Sequence, residues 1–572
     1  MSPSRRDGSI KLLLLVALWS CAAFSQQPPD AGRLLQEHKT PPGQLPRKSD
    51  APLIEAPIRP ALKAPADFKF KVAGFRFSGS SVFPDADLKA LLQDFVGREV
   101  SLADLEQATD RVTRYYRDRG YFVARAYIPA QEIKDGVVEI LILEGKLGQI
   151  EIRPDPSLRL RSSILSEHVE AAVPPGQVLQ QDKIERALLL LNDLPGLDAR
   201  STLLPGTEQA TTNIQIDAKE GPLLSGTLEY DNYGNEFTGV HRPGASLSVN
   251  DPTGIGDQAR FRYSGLSDSR YYYAAYTAPV GPDGLSLGAA YTYDNYHLCC
   301  DFAPLNATGR AEVETIIASY PFIRGRNTNL GGSLSFDNKS FYNATLTGPT
   351  SDRRSQVLTA SLAYSSRDTG FGGGVNSASI ALAHGYLNLD RVQQDRVEDD
   401  STARTHGQFS KMALSGTRLQ ALRQDWTLYA NLYAQAASKN LDSSEKFALG
   451  GPYGVRSYPQ NEAAGDQGVI ANLELRYDIN PQIQVFAFSD YGHVTLHRQT
   501  WDGWQASNTT LPNSYSLYSA GLGASWSKPG DFSVRAVIAQ RLGSNPGRDV
   551  NGNDSDGKQD NTRGWLQAVK FF

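Results

Sequence analysis

The sequence predicts α+β periplasmic repeats followed by an all-β transmembrane barrel of about 16 antiparallel strands. Three observations carry this. From about Leu223 to Phe572, segments of roughly ten residues alternate apolar and polar side chains, as a strand with two different faces must. Their connections fall into two length classes, short Pro/Gly turns and long polar loops. Ahead of them, residues 68–146 and 147–220 both read strand–helix–helix–strand–strand.

The N-terminus reads as a secretory signal over residues 1–25. Arg5, Arg6 and Lys11 precede the apolar run Leu12–Trp19, and Ala23-Phe24-Ser25 is a small-residue cleavage site. Trp19 beside Cys21 disfavours a lipoprotein box. Residues 26–40 hold a short helix around Leu34 and Leu35, and the proline-rich stretch 41–67 reads as a semi-extended linker. After the signal there is no apolar run long enough for a transmembrane helix, which leaves the barrel as the membrane-spanning element.

In the first repeat, Lys71–Ser78 alternates as a strand and Pro84–Phe95 suits a helix. Ser101 caps a second helix with Leu102, Leu105, Ala108, Val112, Tyr115 and Tyr116 on one face. Strands Tyr121–Ile128 and Val137–Glu144 follow. The second repeat runs through strand Leu147–Ile152, helices in Leu158–Val173 and Gln180–Leu191, and strands Asp198–Leu204 and Ala210–Ala218.

Residues 221–572 form the barrel. In Leu285, Leu287, Ala289, Tyr291 and Tyr293 one face is apolar, and Ser286, Thr292 and Asp294 lie on the other. Asp251-Pro252-Thr253-Gly254, Gly281-Pro282-Asp283-Gly284, Ile479-Asn480-Pro481 and Lys528-Pro529-Gly530 are short turns. The long connections are 295–310, 339–354, 386–406, 438–466, 494–513 and 542–562. Short turns belong on the periplasmic side, with the repeats, and long loops outside. In the last strand Lys570 and Gln567 interrupt opposite faces, so its lipid side stays open.

The chemistry points away from catalysis. The eight histidines are scattered, and no phosphate loop, zinc-spaced Cys/His set or nucleophile elbow occurs, so no cofactor or metal is implied. His493 and His497 read as surface residues. Net charge is −5, which suggests neither nucleic acid nor an anionic surface as partner. Cys299 and Cys300 are adjacent and read either as a vicinal bridge or as two loop thiols.

Loop 438–466 is unusual. It is glycine-rich and aromatic around one arginine, in Gly450-Gly451-Pro452-Tyr453-Gly454-Val455-Arg456-Ser457-Tyr458-Pro459. Two strands on, Phe486, Phe488, Asp490 and Gly492 share a face. If that face is inward, Asp490 meets Arg456 only when the loop folds into the lumen. Spacing alone leaves both a locking pair and two water-separated charges open.

Over essentially its full mature length the chain resembles the outer-membrane transporters of two-partner secretion, the haemolysin secretion/activation type. The repeats resemble POTRA domains. Ala126-Tyr127-Ile128-Pro129-Ala130-Gln131, Asp135-Gly136-Val137-Val138 and Leu143-Glu144-Gly145 match the first, and Leu203-Leu204-Pro205-Gly206 the second. Gly454, Val455, Arg456, Ser457 and Tyr458 resemble the family's Val-Arg-Gly-Tyr motif. Phe488, Asp490 and Gly492 resemble the strand motif whose aspartate pairs with that arginine. Ser457 stands where the family has glycine, and serine tolerates a positive φ less well. Leu34 and Leu35 resemble the apolar face of the pore-plugging helix.

The resemblance implies a monomeric outer-membrane translocator, in contact with outer-membrane lipid, that exports an unfolded exoprotein of haemolysin or adhesin type. The exoprotein would add as a strand to a POTRA edge. Tyr121, Val123, Arg125 and Tyr127 in the first repeat, and Ala199, Ser201 and Leu203 in the second, are the candidate edges. The nearest alternative is an assembly factor for other barrels; a general porin has no use for the repeats.

Overall fold

The computed structural model describes residues 28–38, 54–55, 69–208, 210–265, 268–505 and 508–572. The expected signal sequence, residues 1–25, and all of the expected linker, residues 41–67, except Ile54–Glu55 lie outside the described residues. The short helix forms as α1 (Ala31–Gln36). Strand β1 (Ile54–Glu55) comes from the linker.

The first repeat builds on β2 (Lys69–Lys71), β3 (Gly74–Ser78), α2 (Asp85–Leu91), β4 (Glu99–Ser101), α3 (Leu102–Arg117), β5 (Arg125–Tyr127) and β6 (Val137–Leu143). A capping box starts α3: the Ser101 hydroxyl accepts from the Asp104 amide, and the Asp104 carboxylate accepts from the Ser101 amide. Leu105, Ala108, Val112 and Tyr116 then bury one face of α3 against β3 and β6. The buried Glu144 carboxylate accepts from the amides of Ser81 and Val82 and from the Tyr116 hydroxyl, fixing the loop before α2.

The strand expected at Tyr121–Ile128 is shorter. Residues 121–124 form a turn, closed by the Ala124 amide donating to the Tyr121 carbonyl at 3.0 Å. Tyr121 turns inward onto Phe83 and Tyr116, and Val123 packs against the second repeat. Neither is an edge residue; Arg125 and Tyr127 are, because the sheet order β3-β6-β5 leaves β5 outermost.

The second repeat follows the expected order: β7 (Lys146–Pro154), α4 (Ser162–Ala172), α5 (Gln181–Asn192), β8 (Leu197–Pro205) and β9 (Thr211–Glu220). Its four-stranded sheet has the order β1-β8-β9-β7. The outer edge of β8 is thus partly occupied by the chain itself, with Ile54 opposite Ser201 and Glu55 opposite Thr202 in parallel register.

Sixteen antiparallel strands, from Leu224–Asp231 to Thr562–Phe571, close into a barrel. Leu287 and Tyr291 face lipid, 47% and 43% exposed, while Asp294 faces the lumen and is buried. Residues 339–354 are not a loop. The strands Thr328–Thr345 and Gly348–Asp368 run on to a turn at 346–347, pairing Asn343 with Ser351 and Phe341 with Arg353. In the last strand Leu566 and Lys570 are on the exposed face and Trp565 is buried. Lys570 sits at the periplasmic rim, where its ammonium pairs with Asp531. The seam pairs Thr227–Asp231 with Phe571–Gln567. Cys299 and Cys300 are joined by a disulfide at the start of a short turn of 3-10 helix, Cys300–Leu305.

Candidate functional site: a loop folded into the barrel lumen

The loop between the strands Trp426–Ala437 and Gln467–Asn480 folds into the lumen instead of out into solvent. Phe447–Ala448 and Ala464–Gly465 pair as a small antiparallel hairpin stem. Beyond it, the Val455 amide donates to Leu449 O and the Tyr458 amide to Val455 O, so the tip is a series of tight turns. Phe447, Leu449, Val455 and Tyr458 fill a cluster with Ile470, Val494 and Leu517 of the wall. Ser457 is fully buried and its φ is not positive; among the described loop residues Asn461 and Ala463 take the left-handed conformation instead. Serine in place of glycine therefore imposes no strain on the tip.

The arginine at the tip is 3% exposed and Asp490 is 2% exposed. Arg456 Nη2 donates to Asp490 Oδ1 at 2.6 Å, Nε donates to Oδ2 at 3.0 Å, and the Arg456 amide reaches Oδ2 at 3.1 Å. Asn472 Nδ2 and the Ser519 hydroxyl complete the carboxylate's partners at 2.8 and 2.7 Å. On the guanidinium's other side Nη1 donates to Glu474 Oε1 at 2.5 Å. Glu474 is itself held by Arg476 and Arg535. The guanidinium carbon Cζ lies 3.5 Å from the centre of the Phe488 ring, and Trp565 Nε1 donates to the Arg456 carbonyl. Each buried charge is thus paired and hydrogen-bonded, the condition under which burial is tolerated.

Gly492 supplies the space. A Cβ there would lie 2.7 Å from Val455 Cγ2 and 2.9 Å from Leu449 Cδ2. The alternation Phe488, Asp490, Gly492 therefore supplies in turn a ring under the guanidinium, its counter-charge, and a gap for the loop's apolar residues.

The motifs alone do not single out Glu474 and Asn472, although the strand pattern carries the signal. They alternate with the lipid-facing Leu473 and Leu475, which are 49% and 40% exposed, so the pattern itself points them inward. A second anchor sits at the base of the loop. Glu445 is gripped by Lys339 at 2.6 Å and Lys411 at 2.7 Å, and Asp442 by Arg353 at 2.8 Å.

Helix α1 rests on this base. The Ser443 hydroxyl donates to Asp30, Arg33 Nη2 donates to the Asn461 carbonyl at 2.8 Å, and the α1 N-terminus is met by Asn343 Oδ1 at 2.9 Å. Leu34 and Leu35 are buried against Phe237, Tyr296, Leu298 and Phe302 of the barrel's upper half. Elsewhere, Ala199, Ser201 and Leu203 of β8 turn their side chains into the second repeat's core. His493 bonds to Ser516, and His497 packs between Trp501 and Trp504. Among the described residues no group of His, Cys, Asp and Glu is arranged to hold a metal ion.

A sixteen-stranded outer-membrane barrel with POTRA repeats in the periplasm and an arginine-tipped loop in its lumen defines a protein-secretion transporter, not an enzyme. The pattern of the haemolysin secretion/activation protein family ShlB/FhaC/HecB matches residues 210–524, and the ShlB-type POTRA pattern matches residues 70–145. The chain belongs to this family. It is 26% identical over 559 residues to the heme/hemopexin transporter protein HuxB of Haemophilus influenzae, covering 94% of this chain and 93% of that one. It is 25% identical over 467 residues to the outer membrane transporter CdiB of Dickeya dadantii, covering 78% and 80%. CdiB from Escherichia coli shares the fold, with a TM-score of 0.68 at 19% identity over the full length of both chains.

Proposed function

We propose that this chain carries an unfolded exoprotein of haemolysin or adhesin type from the periplasm through the barrel, acting as a monomer. One observation supports the reading above all. The buried Arg456–Asp490–Glu474 cluster pins the long loop inside the lumen, and α1 is stacked on the base of that loop. In this reading the structure is the closed state. Export requires the loop and α1 to move aside, leaving a lumen that a barrel of this strand number makes wide enough for an aqueous channel.

Recognition begins at the repeats. An extended polypeptide adding to the outer side of β5, at Arg125 and Tyr127, first displaces the Thr113 hydroxyl that accepts from the Ala126 amide, and then gains backbone hydrogen bonds regardless of its side chains. At β8 the incoming strand first displaces β1, which already pairs with Ser201 and Thr202. Folding of the exported chain outside then opposes its return.

The experiment is deletion of residues 68–219 in the source bacterium, with the culture medium compared against wild type and a full gene deletion. The expected result is that the polypeptide lost from the medium in the gene deletion is also lost here, while the remaining barrel stays heat-modifiable on gels. Retained export would overturn the role given to the repeats.

A further inference from the structure

The second repeat meets the barrel through α5 and the turn after it. Leu190 and Leu194 point at the periplasmic hairpins. A Cβ on Gly284 would lie 2.6 Å from Leu190 Cδ2, and one on Gly256 2.9 Å from Leu194 Cδ2. The repeat is thus seated closely on an apolar contact at the barrel rim.

Charged groups border this contact on several sides. Arg324, the last residue of the strand Thr308–Arg324, clasps Asp193 with both ends of its fork: Nη2 to Oδ1 at 2.6 Å and Nε to Oδ2 at 2.7 Å. Arg326, in the following turn, reaches Glu185 at 2.7 Å. Arg186 donates back to the carbonyls of Pro321 at 2.9 Å and Asp283 at 3.3 Å. On the other flank Arg159 pairs with Glu220 and donates to the Asn250 carbonyl, and the Arg161 amide donates to Gly254 O.

Partly exposed ion pairs add little strength. What a two-point fork supplies is direction. Glu185 lies in the first half of α5 and Asp193 caps its C-terminus; both are held by residues of one hairpin, which fixes the helix axis against the barrel rim. Strand β8 begins only four residues after Asp193, so its orientation follows from that of α5.

We propose that Arg324 and Arg326 are positioning residues that hold the second repeat in one orientation, so that the β8 edge is presented at the periplasmic mouth of the barrel. The proposal rests on the export reading given above for its consequence, though not for the docking itself.

The test uses residues 26–572, which lack Cys21, with C299S and C300S, reconstituted in vesicles of phosphatidylethanolamine and phosphatidylglycerol. Nitroxide labels are placed at E170C in α4 and at Q482C in a distant barrel turn, and the distance between them is measured by pulsed electron spin resonance. The expected distribution is narrow. It broadens in R324E/R326E and narrows again when E185R/D193R is added, which restores the charge pairs with their signs exchanged. The same variants without labels are scored for the polypeptide whose loss from the medium follows gene deletion; its release falls with the first pair and returns with the second.

A narrow distribution in R324E/R326E, or no recovery in the exchanged variant, overturns the docking role. Broadening with unchanged release overturns the claim that orientation matters for export. If gene deletion removes nothing from the medium, the export reading fails, while the distances still decide the docking.

Discussion

Arg456 and Asp490 lie 34 residues apart in sequence, yet the tip of an outer loop and the middle of a barrel wall meet through them inside the lumen. The fork of the guanidinium takes both carboxylate oxygens, and its remaining nitrogen takes Glu474. A lysine could not serve both carboxylates in this geometry, because a point charge on a flexible stem has no fixed fork.

Replacing Arg456 with Ala leaves Asp490 buried with its counter-charge removed, while Glu474 keeps Arg476 and Arg535. Breaking a buried pair from one side costs on the order of 3–5 kcal/mol. The barrel ladder does not depend on the pair, so the protein remains heat-modifiable while the loop leaves its seat. Export measured in the culture medium falls. R456K falls between wild type and R456A.

Gly492 and Val455 couple through the space between them. Adding a methyl at Gly492 pushes on Val455 Cγ2, so G492A loosens the loop, seen as faster protease cleavage within 438–466. In V455A/G492A the collision with Val455 is gone and only that with Leu449 remains, so cleavage slows relative to G492A. The two changes are therefore non-additive, as residues in contact are.

Helix α1 fills the upper lumen over the base of the loop. Removing residues 30–40 raises single-channel conductance in planar bilayers. The change S443A, which takes one hydroxyl from Asp30, raises the frequency of brief openings without altering the size of the open channel.

The outer loop 496–513 carries a pH dependence. Burial, with the Lys446 charge second, pushes the His497 imidazole from its ordinary value near 6.5 down to about 3. The folded loop keeps His497 neutral where an unfolded loop protonates it. Stability from this group is complete above about pH 6.5 and is lost as pH falls toward 3. Tryptophan fluorescence of Trp501 and Trp504, which flank the ring, follows the loosening, and H497Q flattens it.

The barrel is legible in sequence because lipid demands an apolar residue at every second position. Where strands rise above the bilayer that demand ends. Thr328–Thr345 and Gly348–Asp368 continue there with Asn343, Ser351 and Arg353 facing α1 and the loop base, and polar residues of this kind read as a loop. Tyr121 looks like a strand residue by type, but its ring is needed against Phe83 in the core, and the chain turns to deliver it. In the lumen, sequence singles out Arg456 and Asp490, and the structure brings them together. Lys339 and Glu445 are ordinary charged residues locally, and only the closed barrel sets them opposite one another; the alternation with Leu473 and Leu475 points Glu474 inward, but only the folded loop brings Arg456 to it.

The most direct measurement places a photoreactive amino acid, benzoylphenylalanine, at Thr359 or at its neighbour Leu358 during active secretion. Leu358 is on the lipid face, 47% exposed, and Thr359 shares the lumen face with the buried Val357. Passage through the barrel predicts a cross-link to the secreted polypeptide from Thr359 and none from Leu358. Equal cross-linking at both positions, or none at Thr359 while secretion proceeds, would contradict it.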